Sequence, residues 1–281
     1  MPNEPKPKNN PSGMLATLGR ALLRRMESTA RPYEKRIVNN MKNLKKVIQK
    51  GDVLLVEGRS EISRIIQVLT QSFWSHIAMY VGDRLKDVGS TIPADPKLGI
   101  HDTDRNHLLI EADAGTGVIA VPLRKYRNYN IRICRPYGIS DPDIDGVVGE
   151  VIGNLGKHYD HENILDLALL LLPSVINPFK KRTIQACLGG CSEYKVICSG
   201  MIAKAFQSVG YPIVPALLPA SDIDNPQMNN PYGSKLIMRH ASQIVPRDFD
   251  LSPNFEIVKY NIIGLGQFDY RSIWALKSDL R

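Results

Sequence analysis

The sequence predicts an α+β domain in which an antiparallel, barrel-like sheet packs on helices. Three observations predict it. Short strand-like runs cluster between residues 52 and 135, and helical periodicity takes over after Tyr137. Strands gathered first and helices gathered later is the pattern of an α+β domain rather than of alternating βαβ units. A chain of 281 residues is also long enough to bury one sizeable core.

The elements follow in chain order. Residues 1–13 are rich in Pro, Asn and Lys, the composition of a disordered segment. Residues 14–50 read as a basic amphipathic helical extension. Leu15, Leu18, Leu22 and Met26 form one stripe, with Arg20, Arg24 and Arg25 interleaved, and Pro32 interrupts it. Ile37, Met41, Leu44 and Ile48 form a second stripe, with Lys42, Lys45 and Lys46 beside it, and Gly51 ends it. The main domain is read over 51–260, with 261–281 as a C-terminal extension.

Within the domain, 52–56 is a strand followed by a turn at Gly58. Ile62, Ile65, Ile66 and Leu69 mark a short amphipathic helix, and 76–81 is a second strand closed by Gly82. Residues 84–106 lack periodicity and read as a long loop. Strands are expected at 108–112, 118–121 and 131–135. Ile144, Val147, Val148, Val151, Ile152 and Leu155 share one helix face ahead of Gly156. A buried helix over 163–172, a loop over 177–195, a helix from Cys198 to about Val209 and a strand over 255–258 complete the reading.

Charge and hydropathy narrow the function classes. Residues 1–50 hold 12 Lys/Arg and 3 Asp/Glu, a net of +9, whereas the rest of the chain is at −1. The basicity is confined to the N-terminus, so a phosphate-binding groove in the main domain, and hence a nucleic-acid partner, is not expected. The longest apolar stretch, 164–176, contains Asp166 and Pro173 and falls short of the roughly 18 residues of a membrane span. MPNEPKPKNN has no apolar h-region, so a cytoplasmic protein is expected. The basic extension reads either as helices that pack on the domain or on a second copy, or as a peripheral contact with an anionic membrane surface.

Cys198 opens a helix whose inward stripe is Ile202, Ala205, Phe206 and Val209, and its own position lies on that stripe. The first turn of a helix favours thiolate over thiol and offers backbone N–H groups to an oxyanion. His76 opens a strand in which 76, 78 and 80 share a face, and Ala78 leaves room beside it. A strand-borne histidine facing a helix-borne cysteine is what a Cys–His nucleophile requires. Glu111 is an acid inside an apolar strand, a costly burial unless a partner such as an imidazole N–H compensates it. Taken singly, each has a bland reading: a small buried thiol, a half-buried histidine and a strand-edge carboxylate.

In sequence order, GDVLLVEGRSEISRIIQVLTQSFWSHIAMYVGD, LLIEADAGTGVIAVPLRKY, GKHYDHENILDLALLLLP, VICSGMIAKAFQSVG and PRDFDLSPNFEIVKY resemble the blocks of the permuted NlpC/P60 hydrolases. These are the YiiX/YebB-like group, related to lecithin–retinol acyltransferase. The resemblance implies a circularly permuted papain-like fold, in which the histidine precedes the cysteine. It makes Cys198 the nucleophile, His76 the base and Glu111 the orienting third member. His107, on the same strand parity, is the alternative third member, because relatives of lecithin–retinol acyltransferase use a histidine there. Tyr80 completes an SH-x3-Y pattern and, with Ser199, is a candidate for oxyanion or substrate contact. Tyr159-Asp160 matches a family YD and reads as structural. The implied activity is hydrolysis of an amide, ester or thioester acyl bond through a thioester intermediate, without a cofactor. The substrate is a lipid-like acyl group or a peptide or protein amide. An acyltransferase using the same site, or a non-catalytic binding module that kept the fold, are the alternatives.

Two features carry no chemistry in this reading. Cys187 and Cys191 lack paired histidine ligands, so no zinc site is expected. Ser199 has no Gly-x-Ser-x-Gly elbow, so it is not read as a serine nucleophile.

Overall fold

The structure, a computed structural model, describes residues 39–86, 92–113, 116–157, 198–218 and 235–260. The readings for 1–13, the stripe 15–26, Tyr159-Asp160, the helix 163–172, the loop 177–195 and its Cys187 and Cys191, and the extension 261–281 lie outside the described residues.

Six strands form one antiparallel sheet: β1 (Val53–Val56), β2 (His76–Gly82), β3 (Leu108–Asp113), β4 (Gly117–Pro122), β5 (Ile131–Pro136) and β8 (Phe255–Val258). Their order is β4-β3-β2-β1-β5-β8, with the first five joined as neighbours in sequence except where β1 takes β5 on its free edge. The sheet is open rather than closed into a barrel: among the described residues β4 and β8 are its two edges. A single parallel bridge, Ala94 to Ala120, lays part of the long loop along the β4 edge. Two further strands, β6 (Pro215–Leu218) and β7 (Lys235–Met238), pair separately in a stretch where the sequence suggests only connection. Their signal is masked by flanking prolines, which read as loop.

Both faces of the sheet are buried, which explains why most strands read as apolar runs rather than alternations. On one face Val53, Leu55, Ile77, Met79, Val81, Leu108 and Ile110 meet the helices α3 (Asp141–Ile152) and α4 (Cys198–Ser208). On the other, Leu54, Val56, Ala78, Tyr80, Leu109, Val121 and Ile133 meet Tyr126, Tyr260 and α1 (Met41–Val47). Helix α1 contributes Leu44 and Ile48 to that core and turns Lys42, Lys45 and Lys46 outward. Helix α2 (Glu61–Thr70) is capped by Ser60, whose hydroxyl accepts from the Ser63 amide at 3.1 Å.

The placement of α4 rests on its aromatic seat. Phe206 is fully buried, with ring centroids 5.5 Å from Tyr211, 6.4 Å from Phe249 and 5.2 Å from Phe255. Phe249 lies on α5 (Pro246–Leu251), so one side chain ties α4 to α5 and β8. Phe206→Ala is expected to lower the unfolding free energy by about 3–5 kcal/mol in a urea melt. A loss under about 1 kcal/mol would mean that α4 is seated by something else.

Candidate active site

The site forms where the start of α4 meets the start of β2. Cys198 is the first residue of α4 and packs against the helical core, while the buried Met201, Ile202, Ala205 and Phe206 anchor the helix. His76 is the first residue of β2, so the two meet at the end of the sheet rather than across its face. The His76 side chain is partly exposed, forms an ion pair with Glu111, and is acted on electrostatically by both Cys198 and Glu111. Its Nε2 lies 3.4 Å from Glu111 Oε2. With Nε2 turned to the carboxylate, Nδ1 is the ring nitrogen left for the thiol.

Glu111 reaches His76 diagonally. In the β2–β3 ladder it stands opposite Ala78, two residues along from His76, and the small alanine leaves space between them. The carboxylate is almost wholly buried. Three donors surround it: His76 Nε2, Lys125 Nζ at 2.5 Å from Oε1, and the Tyr126 hydroxyl on Oε2. Lys125 and Tyr126 sit in the 3₁₀ turn Leu123–Tyr126 that follows β4. Lys125 Nζ also lies 3.4 Å from Asp95 Oδ2.

The charges follow from these contacts. Burial alone would discharge His76, but its hydrogen bonds to Cys198 and Glu111, with their negative charge, raise its pKa to about 10. The carboxylate thus favours the charged form of the ring. Burial would likewise protonate Glu111, yet the hydrogen bond and charge of His76, then those of Lys125, bring it down to about 2. Burial works against a charged Lys125 too, and the Glu111 carboxylate outweighs it. Burial pushes the Tyr126 phenol well above its ordinary range, so it stays a neutral donor.

The other expected residues lie elsewhere. Tyr80 faces the core on the side of the sheet away from α4, with Ala78, Leu109 and Tyr126. Its hydroxyl donates to the Asn106 carbonyl at 3.2 Å and lies 2.7 Å from His107 Nδ1. Four residues of extended chain, about 13 Å, separate it from His76 along β2. The expectation that Tyr80 shares the dyad's surroundings is thus corrected: strand parity puts 76, 78 and 80 on one face, but α4 covers the opposite face. His107 is taken up by Tyr80, and Glu111 occupies the place beside His76. Ser199 is fully buried, and its hydroxyl donates to the Ile244 carbonyl at 2.7 Å, which spends it on structure. Cys134 is buried in the sheet, and burial pushes its thiol to about 12, which makes it a poor nucleophile.

Lys125 and Tyr126 escape sequence reasoning. The run PLRKY follows a strand and reads as an ordinary basic turn, and only the β3–β4 pairing brings it over Glu111. Among the described residues no group of three or more His, Cys, Asp or Glu is arranged to hold a metal ion. No described helix is long and apolar enough to cross a membrane.

Comparison with known proteins bears on this arrangement. The profile of the family described as "Permuted papain-like amidase enzyme, YaeF/YiiX, C92 family" matches residues 47–166, which carry His76, Glu111, Lys125 and Tyr126. No curated protein matches the sequence. Among solved structures, that of the metalloprotein yiiX from Escherichia coli O157:H7 aligns over 75% of this chain and 97% of its own, at 18% identity and a TM-score of 0.44. Over residues 47–166 the chain thus resembles the permuted papain-like amidases, a family of cysteine hydrolases.

Proposed function

We propose that the chain cleaves an amide or ester acyl bond through a thioester on Cys198. One observation carries the reading: Cys198 opens its helix and His76 opens its strand, with His76 Nε2 3.4 Å from the buried Glu111 carboxylate. In the first half-reaction the Cys198 thiolate attacks the acyl carbon, forming a C–S bond as the carbonyl pair moves onto oxygen. Backbone N–H groups at the start of α4 receive that oxyanion. The intermediate then collapses, the bond to the leaving group breaks, and the His76 imidazolium protonates the departing nitrogen or oxygen. Water attacks the thioester in the second half, with His76 taking its proton and Cys198 leaving as thiolate.

The substrate's acyl part is proposed to be apolar. Val68, Phe73, Trp74 and Leu251 line a cleft just ahead of His76 in the chain, and Val68, Phe73 and Leu251 are exposed there. Trp74 lies two residues before His76, and apolar side chains left open in such a cleft are suited to bury a hydrocarbon group, at about 0.8 kcal/mol per methylene. A series of p-nitrophenyl esters from acetate to dodecanoate tests this. Rising kcat/KM with chain length, lost in Phe73→Ser, is expected. A flat series, with faster cleavage of short peptide amides, would instead make the natural substrate a peptide or protein amide.

A further inference from the structure

Glu111 presents a difficulty for the second half-reaction. Once Cys198 is acylated, the thiol no longer shares the His76 proton, and His76 must be neutral to take a proton from water. A fully ionised carboxylate against its Nε2, in a site with little water, would hold the ring in its charged form. Something has to offset that carboxylate.

The groups around the pair are few. On β3 there are Glu111 itself and Asp113, on the 3₁₀ turn Lys125 and Tyr126, on the long loop Asp95, and on α4 Cys198. Among the described residues, Lys125 is the cation acting on Glu111 besides His76. Its ammonium sits on Oε1, the oxygen turned away from His76, and is shared with Asp95. Asp95 is fixed in turn: its Oδ1 accepts from the Lys97 and Leu98 amides at 2.8 and 3.3 Å. Tyr126 stays a neutral phenol, so it orients Oε2 without neutralising it.

We propose that Lys125 is a positioning residue that offsets the charge of Glu111 enough for His76 to give up its proton and activate water against the thioester. The inference rests on the catalytic reading of Cys198 and His76 above. In the step it governs, water oxygen bonds to the acyl carbon and one water proton passes to His76. The C–S bond then breaks, leaving a carboxylic acid product and the thiolate–imidazolium pair.

Lys125→Met removes the cation and keeps the stem. With p-nitrophenyl acetate as probe, rapid-mixing traces should retain the p-nitrophenolate burst, while the following steady phase slows about tenfold at pH 7. Its acid limb should move up by about one pH unit, the two figures being one effect. Because only deacylation slows, kcat and KM should fall together and leave kcat/KM nearly unchanged. Lys125→Arg should restore the wild-type limb. Asp95→Asn keeps the acceptor for the Lys97 and Leu98 amides but frees Lys125's charge for Glu111, so its limb should move down. A limb unmoved in both variants, or a downward shift with falling kcat/KM in Lys125→Met, overturns the inference; the latter would mean that Lys125 merely holds Glu111 in place. Should Lys125→Met fail to fold, Asp95→Asn decides alone. A wild-type protein that gives no burst sinks the catalytic reading and this inference together, whereas a normal wild-type burst with unmoved limbs sinks only the inference.

Discussion

Cys198→Ala is expected to reduce acyl-bond hydrolysis to background, a fall of about 10⁴–10⁶-fold, and His76→Ala to fall nearly as far. The two should not add, because the thiolate and imidazolium act as one unit. Melting should move little in Cys198→Ala, a partly buried side chain at the end of a helix, whereas His76→Ala strips a partner from the buried Glu111 and should lower stability. A thiol-directed acyl probe gives an independent readout. It should label Cys198 in a Cys187→Ser/Cys191→Ser background and lose that labelling in His76→Ala, since the imidazolium stabilises the attacking thiolate. Cys134 should remain unlabelled in the folded protein because it is buried in the sheet. Equal labelling with and without His76 would overturn the dyad.

The second large effect is at Glu111, where activity and stability separate. Glu111→Gln offers one oxygen to three donors, so its amide nitrogen must face Lys125 on one side or Tyr126 and His76 on the other. Hydrolysis should fall about 10²–10⁴-fold as His76 loses its orientation, by analogy with losing the orienting acid of a Ser-His-Asp triad. Glu111→Leu goes further and leaves Lys125 with Asp95 alone and the Tyr126 hydroxyl without its acceptor. That variant should lose about 3–5 kcal/mol of unfolding free energy, the usual effect of stripping one partner from a buried ion pair. The pH dependence has a definite sign. Glu111's folded pKa is depressed, so its contribution is present above its ordinary pKa of 4.5 and is lost as pH falls towards about 2. His76's folded pKa is raised, so its contribution is complete below 6.5 and is lost as pH rises through about 10. Denaturant melts across pH should show both losses in the wild type, with the acid loss absent and the alkaline loss reduced in Glu111→Leu, and a Glu111→Leu protein as stable as wild type would disprove the clamp.

Much of this was readable along the chain, apart from β6 and β7, hidden by flanking prolines, and the partners that only packing supplies. The strand runs at 52–56, 76–81, 108–112, 118–121 and 131–135 declare themselves by length and β-branched content, and each is a strand of the sheet. The stripe Ile144, Val147, Val148, Val151 marks a helix and its buried face, although α3 ends at Ile152, with Gly153 and not Gly156 as its C-cap. His76, Glu111 and Cys198 stood out because each is a chemically costly residue in a regular element, and the structure gathers all three.

What the sequence by itself determined was therefore most of the main sheet's strands, the helices at 141–152 and from Cys198, and the three candidate site residues. Which face of the sheet receives which helix was decided only by tertiary structure. A period of two says that Tyr80 and His76 share a side but not that α4 covers the other, so Tyr80 went to His107 and the far core. The Lys125–Tyr126 clamp is hidden for the same reason. Its two residues are remote from Glu111's own strand in pattern and meet it only through the β3–β4 register and the turn that follows. Local periodicity reflects burial, which one residue can report alone; a charge partner is a relation between two segments, and only packing brings them within a few ångströms.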